Sequence, residues 1–99
     1  MAAQEPCARK LKSLADPTRL GVLRALARGP QRVKTLGALL GTEQSLLSKH
    51  LRVLRDAGLV VARRDGKGVR YRLADGVAAA GGGLDLGCCR LSFDPEPRS

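Results

Sequence analysis

Aromatic side chains are almost missing from this 99-residue chain. It has one tyrosine (Tyr71), one phenylalanine (Phe93) and no tryptophan. A core must therefore be built from Leu, Val and Ala, and a core of that size stabilises only marginally, so a core shared in a dimer suits it. No apolar run approaches the ~20 residues of a membrane span, and Met1 to Lys12 lacks the apolar centre of a secretion signal. A single histidine (His50), scattered carboxylates and no nucleophile–base–acid set argue against an enzyme. Gly66 and Gly68 form a GxG without the strand–turn–helix context of a phosphate cradle. Cysteines number three, an odd count, and two are adjacent, which argues against a disulfide framework and for a reducing cytoplasm.

Acidic residues are also scarce, 9 against 18 Lys and Arg, for a net charge of +9. The excess is confined. Residues 9–72 carry 16 basic and 4 acidic side chains, a net of +12, while both flanks are mildly acidic. Basic charge concentrated in one folded region suits a polyanion, although a merely solubilising surface has the same composition.

The chain divides into a loose leader (1–8), a folded region (9–73) and a Gly-rich, cysteine-containing tail (74–99). A first helix is expected from about Arg9 to Ala15. Asp16-Pro17 restarts the chain as a capped second helix that Gly29-Pro30 ends. A third, short helix covers Val33 to Leu40 with Leu36, Leu39 and Leu40 inward. Gly41-Thr42 then turns into a fourth helix, about Glu43 to Ala57, with Thr42 as its cap. Two short helices joined by a glycine turn make a helix-turn-helix. On the fourth helix Leu47, Leu51 and Leu54 form a buried stripe, and Gln44, Ser45, Ser48, Lys49, Arg52 and Arg55 share the opposite arc. Hydrogen-bonding groups near a helix N-terminus with cations further along suit base edges and flanking phosphates, though an ordinary solvated face reads alike. The continuation decides. Leu59 to Arg64 and Val69 to Leu73 read as strands around the turn Asp65-Gly-Lys-Gly68, a basic β-hairpin bearing Arg63, Arg64, Lys67, Arg70 and Arg72. The fold expected is α+β, a winged helix-turn-helix. Beyond Leu73, Gly81–Gly83 should break any helix begun at Val77, and Leu84–Phe93 reads as one short strand kinked at Gly87.

The segments Leu14-Ala-Asp-Pro-Thr-Arg-Leu20, Gln44-Ser-Leu-Leu-Ser-Lys-His-Leu51 and Leu51-Arg-Val-Leu-Arg-Asp-Ala-Gly-Leu-Val60 resemble the ArsR/SmtB family of metal-responsive repressors. The likeness covers about residues 10–73. It implies a winged helical homodimer that occupies double-stranded operator DNA until an inducer binds. It places Gln44, Ser45, Ser48, Lys49 and His50 in the DNA-reading segment. Two departures stand out. Arg32 and Lys34 fill the places where many members carry a Cys-x-Cys pair, and the tail lacks the long final helix of the family. The first helix, with Leu11 and Leu14, and the C-terminal strand are then the candidate dimer contacts.

Two side-chain groups invite more than a structural reading. Cys88 and Cys89, with Cys7 as a third thiol, form a candidate site for a thiophilic ion: As(III), Cd, Pb, Cu(I) or Zn. Unremarkable thiols and a metal-free redox sensor are the alternatives, and a regular strand would point neighbouring cysteines to opposite faces. His50 fits a structural or phosphate-contacting role better than metal ligation. A protein-interaction module is the rival to DNA binding, and the basic arc and wing disfavour it.

Overall fold

A computed structural model describes residues 5–93 of the chain, with side chains from residue 7 onward. Four α-helices come first: α1 (Glu5–Ser13), α2 (Pro17–Leu26), α3 (Val33–Leu40) and α4 (Gln44–Asp56). Between α2 and α3 lies β1 (Gln31–Arg32), and β2 (Val60–Asp65) and β3 (Gly68–Leu73) follow α4. A 3-10 turn (Ala80–Gly82) leads to β4 (Leu84–Asp85) and β5 (Arg90–Leu91). The result is a winged helix-turn-helix of α+β class, as expected. No helix of the described residues is long and apolar enough to cross a membrane.

The local signals act as chemistry dictates. Asp16 accepts a hydrogen bond from the Arg19 backbone N–H at 3.0 Å, and Pro17 opens α2 where its missing N–H costs nothing. Gly41, at φ 61°, closes α3 in the left-handed conformation that a β-carbon would strain. Thr42 does not cap α4. Its hydroxyl turns back to the Leu40 carbonyl (3.3 Å), and Glu43 takes the cap position without a side-chain bond. Within α4 the stripe Leu47, Leu51 and Leu54 is buried, as the periodicity predicts. Leu36 is buried but Leu39 is 63% exposed, so α3 turns a narrower face inward than expected. Leu40, in the same turn, packs against the core, which leaves Leu39 on the open side.

In the wing, β2 and β3 pair antiparallel from Val60↔Leu73 to Asp65↔Gly68. Tyr71 and Leu73 are buried against the helices, as alternation requires. Sequence reading did not foresee β1, which adds a third strand beside β3 to give the order β1-β3-β2.

Two ends of the chain differ from expectation. α1 begins at Glu5, inside the segment read as a loose leader, and ends at Ser13; residues 1–4 lie outside the described residues. The tail is a hairpin and not one kinked strand, because Gly87 at φ 89° lets β4 turn back and pair with β5. It also packs. Val77, Leu84 and Leu86 are buried in the same cluster as the α2 and α4 leucines. Lys10 Nζ donates to the Leu86 carbonyl at 3.0 Å, joining α1 to the hairpin.

Candidate nucleic-acid interface and sulfur cluster

Burying Leu47, Leu51 and Leu54 forces the other arc of α4 outward. Gln44, Ser45, Ser48, Lys49, Arg52 and Arg55 are all exposed. Ser45 is engaged locally, its hydroxyl donating to the Glu43 carboxylate. A cleft of about 720 Å³ opens between this face and the wing, lined by Gln44 and Ser48 from α4, Lys34 and Thr35 from α3, and Arg32 and Lys67. Cations and neutral donors thus share one concave surface, which suits a phosphate backbone beside base edges.

His50 stands apart from that arc. Its side chain is 15% exposed and packs toward the start of α2, with Nδ1 3.3 Å from Arg19 Nη1 and 3.8 Å from the Asp16 carboxylate. A guanidinium only donates, so Nδ1 is the acceptor in that bond. Arg19 also donates from Nε to the Ser13 carbonyl at 2.6 Å. The backbone N–H of Arg19, with the charge of its guanidinium, holds the Asp16 carboxyl below the usual carboxylate range. The cluster ties α1, α2 and α4 together. The one histidine thus contributes to the contact of α4 with the start of α2.

On the wing Arg63, Arg64, Lys67, Arg70 and Arg72 are exposed, but two of them are partnered. Asp65 accepts from Arg70 at 3.0 Å and from Arg32 at 3.0 Å. Arg72 reaches Asp75 at 3.1 Å, an exposed pair, and its own strand's Leu73 carbonyl. Arg32 escaped the sequence reading as an interface residue. It lies before α3 in a stretch without strand signal, and only pairing with β3 brings it to the wing.

The cysteines converge at the far end of α1. Cys7 and Cys88 form a disulfide, with Cα atoms 5.9 Å apart, which contradicts the expectation of free thiols. Cysteine count says nothing about which residues the fold brings together; here the tail hairpin lays its turn on α1. Cys89 keeps a free thiol, its Sγ 3.9 Å from Cys7 Sγ and 4.0 Å from Cys88 Sγ. The neighbouring cysteines share a side because they sit in the turn after Gly87 and not in a strand. All three sulfurs lie within 4.8 Å of one another. An ion with ~2.3 Å bonds to sulfur in tetrahedral geometry sets its ligands about 3.8 Å apart. Two of the three spacings already fit, and the third requires the disulfide to open.

A profile of the bacterial regulatory proteins of the arsR family matches residues 16–61, from the α2 cap to the start of the wing. A probable mercury resistance operon repressor of Streptomyces lividans is 40% identical over 113 aligned positions, covering 97% of this chain and 90% of that protein. The chain belongs to the arsR family. Within this family it is 48% identical over 65 residues to the HTH-type transcriptional regulator NmtR of Mycobacterium tuberculosis, covering 66% of the chain but only 54% of NmtR. It thus spans little more than half the length of that relative. The homodimeric winged helix-turn-helix DNA-binding domain Mb0332 of Mycobacterium bovis superposes with a TM-score of 0.70 at 37% identity, covering 74% of this chain and 68% of the other. These relatives are named as regulators and repressors, in keeping with a family that is not enzymatic. The matched stretch of this arsR-family chain contains α2, α3 and α4 but none of its three cysteines. Family membership therefore says nothing of the sulfur cluster.

Proposed function

We propose that the chain is a homodimeric transcriptional repressor of the cytoplasm that occupies operator DNA through α4 and the wing. The observation that carries this reading is the outward arc of α4, polar at its N-terminal end and cationic beyond, set across a cleft from a basic hairpin. In this reading Gln44, Ser45, Ser48 and Lys49 face base edges. Arg52, Arg55, Arg63, Arg64, Lys67, Arg70 and Arg72 face phosphates, and His50 acts by holding α4 to α2. The homodimeric Mb0332 domain supports dimerisation, and an exposed Leu11 on α1 supports the first helix as the contact. The test is a gel shift with duplex DNA from upstream of the gene. Lys49→Ala should weaken binding by about 1–3 kcal/mol and relax specificity if Lys49 reads a base. An unchanged affinity would remove α4 as the reading head.

Cys7, Cys88 and Cys89 serve in this proposal as the inducer site. Thiolates select soft ions, and the Streptomyces relative named as a mercury resistance repressor adds Hg(II) to As(III), Cd, Pb, Cu(I) and Zn. Ligation by all three sulfurs needs the Cys7–Cys88 bond reduced, with two electrons and two protons yielding three thiols. Under reducing conditions, wild type should release DNA as one of these ions is titrated, while Cys88→Ser/Cys89→Ser stays bound. Equal responses would make the cysteines bystanders. A second reading, favoured by the disulfide itself, is that the thiol–disulfide change alone is the signal. It predicts that oxidant shifts DNA affinity with no ion present.

A further inference from the structure

The wing carries a cross-strand arrangement of which the functional reading uses only Arg63 and Arg70. In the register of the three-stranded sheet, Arg32 pairs with Arg70, and Arg70 pairs with Arg63. Cross-strand partners project from the same face. The three guanidinium side chains therefore form one row across β1, β3 and β2, about 10 Å long at ordinary strand spacing. The row lies on the face opposite Tyr71 and Leu73, which are buried against the helices, so it points away from the core. Like charges directly opposite one another destabilise a sheet. Three in succession are a standing cost that hydrophobic packing does not explain.

One carboxylate answers the row. Asp65 lies two residues beyond Arg63 on the same strand, hence on the same face, and its Oδ2 meets both Arg32 and Arg70 at 3.0 Å. The trio is half-exposed, with 49% of each arginine side chain and 38% of the aspartate open to solvent. Such pairs are weak in water, and they exchange partners readily. A phosphate offers the same guanidinium groups more acceptor oxygens and releases counterions as it docks.

We propose that Arg32, Arg70 and Arg63 form a phosphate-binding row for the DNA backbone, and that Asp65 is its built-in counter-ion, competing with DNA and lowering affinity. The proposal rests on the DNA-binding reading and adds Arg32 and Asp65 to it. In free protein Asp65 quiets the repulsion within the row; in the complex a phosphate takes over that task and the carboxylate becomes an unfavourable neighbour. Asp65 thus sets how tightly the protein holds DNA of any sequence. An acidic protein segment would be attracted to the row as well, but Arg32, which also lines the cleft beside Gln44 and Ser48, joins one end of the row to the α4 face and favours a duplex.

The experiment measures binding to a short fluorescein-labelled duplex of random sequence by anisotropy across a salt series. Removing one phosphate contact changes the slope of log affinity against log salt by ~0.9, which is roughly fivefold in affinity at about 0.15 M salt. Asp65→Asn keeps the shape and removes the charge; it should bind roughly fivefold tighter near that salt with a steeper slope. Asp65→Glu should stay near wild type. Arg32→Gln should bind roughly fivefold more weakly with a shallower slope, and Arg32→Gln/Arg70→Gln should abolish most of the gain from Asp65→Asn. Thermal unfolding of each variant identifies loss of fold, and the charge-retaining Asp65→Glu and the edge-strand Arg32→Gln keep the test decisive if Asp65→Asn is unstable. Tight wild-type binding with Asp65→Asn unchanged or weaker, or with Arg32→Gln unchanged, overturns the proposal alone. Wild type without salt-dependent duplex binding overturns the DNA-binding reading and the proposal with it.

Discussion

Opening the Cys7–Cys88 bond is the perturbation with the largest expected effect on stability. The bond joins residues 81 apart, so nearly the whole folded chain lies inside its loop. The chain-entropy relation gives about 4.5 kcal/mol for a loop of that length, at the upper end of what disulfides deliver. Typical domains hold only about 5–15 kcal/mol in total, so reduction should remove a large share of the stability. With a urea slope of about 2 kcal/mol/M for a small protein, the midpoint should fall by about 2 M. Far-ultraviolet circular dichroism is the readout of choice, because the chain has no tryptophan and one tyrosine. Protein concentration must be held constant, since dimerisation would shift the midpoint by mass action. Cysteine variants sharpen the result. Cys7→Ser removes the shared partner and should lose the full increment. Cys88→Ser leaves Cys89 Sγ 3.9 Å from Cys7 Sγ, so a substitute bond can form and part of the increment should survive oxidation. Equal midpoints for oxidised wild type, reduced wild type and Cys7→Ser would refute the reasoning.

Three further perturbations test how the parts are held together. Leu54→Ala empties a fully buried site under α4 and should cost about 2–5 kcal/mol by equilibrium unfolding. Asp16→Ala removes the α2 cap and should lower the melting temperature at neutral pH. Because the Asp16 carboxyl is held below its ordinary value, its contribution is present above the unfolded carboxylate pKa of about 3.9 and lost as pH falls through the lowered folded value. The variant's deficit should therefore shrink in strong acid, and a deficit independent of pH would assign the effect elsewhere. Gly83→Ala would drive a β-carbon into the Leu91 carbonyl, which the tail hairpin cannot yield without separating β4 from β5. Faster hydrogen exchange at the Leu86 amide, which bonds the Cys89 carbonyl, is the expected sign.

Local chemistry made most of this fold legible. Asp16-Pro17 and Gly41 mark helix ends through their own dihedral and hydrogen-bonding needs, and Leu47, Leu51 and Leu54 report a buried stripe by spacing alone. The wing showed itself by strict alternation around an Asp-Gly turn. What stayed hidden depends on partners distant in sequence. β1 is two residues long and exists because β3 lies beside it. Arg32 joins the wing, and Asp65 meets two arginines, through that pairing. The sulfur cluster needed both the early start of α1 and the reversal at Gly87, and neither is visible in a cysteine count. Leu39 and Thr42 show the opposite failure, where a sound local rule yields to the space that neighbouring elements leave.

The sulfur cluster and the outward arc of α4 lie on different elements, and a link carried by contacts runs through the helices. A contiguous set of contacts exists. The tail meets α1 at Lys10, whose Nζ holds the Leu86 carbonyl, and at Cys7 through Cys88. At the other end of α1, buried Ser13 gives its carbonyl to Arg19, and Arg19 reaches His50 on α4 at 3.3 Å. For a change at the sulfurs to alter DNA affinity tenfold, the two sulfur states must differ by about 1.4 kcal/mol in how well they hold the DNA-competent arrangement. A single hydrogen bond from a charged donor is worth about 1.5–3 kcal/mol. Repositioning α1 enough to weaken the Arg19 bond to Ser13 is therefore sufficient in magnitude, without unfolding any element. The alternative, a direct electrostatic effect of the sulfurs on bound DNA, would be screened within about 10 Å at ordinary salt. The two routes separate in a double-mutant cycle of Cys7→Ser with Arg19→Leu. Transmission through the contacts gives a coupling energy that salt leaves intact, whereas a field effect leaves the two substitutions additive.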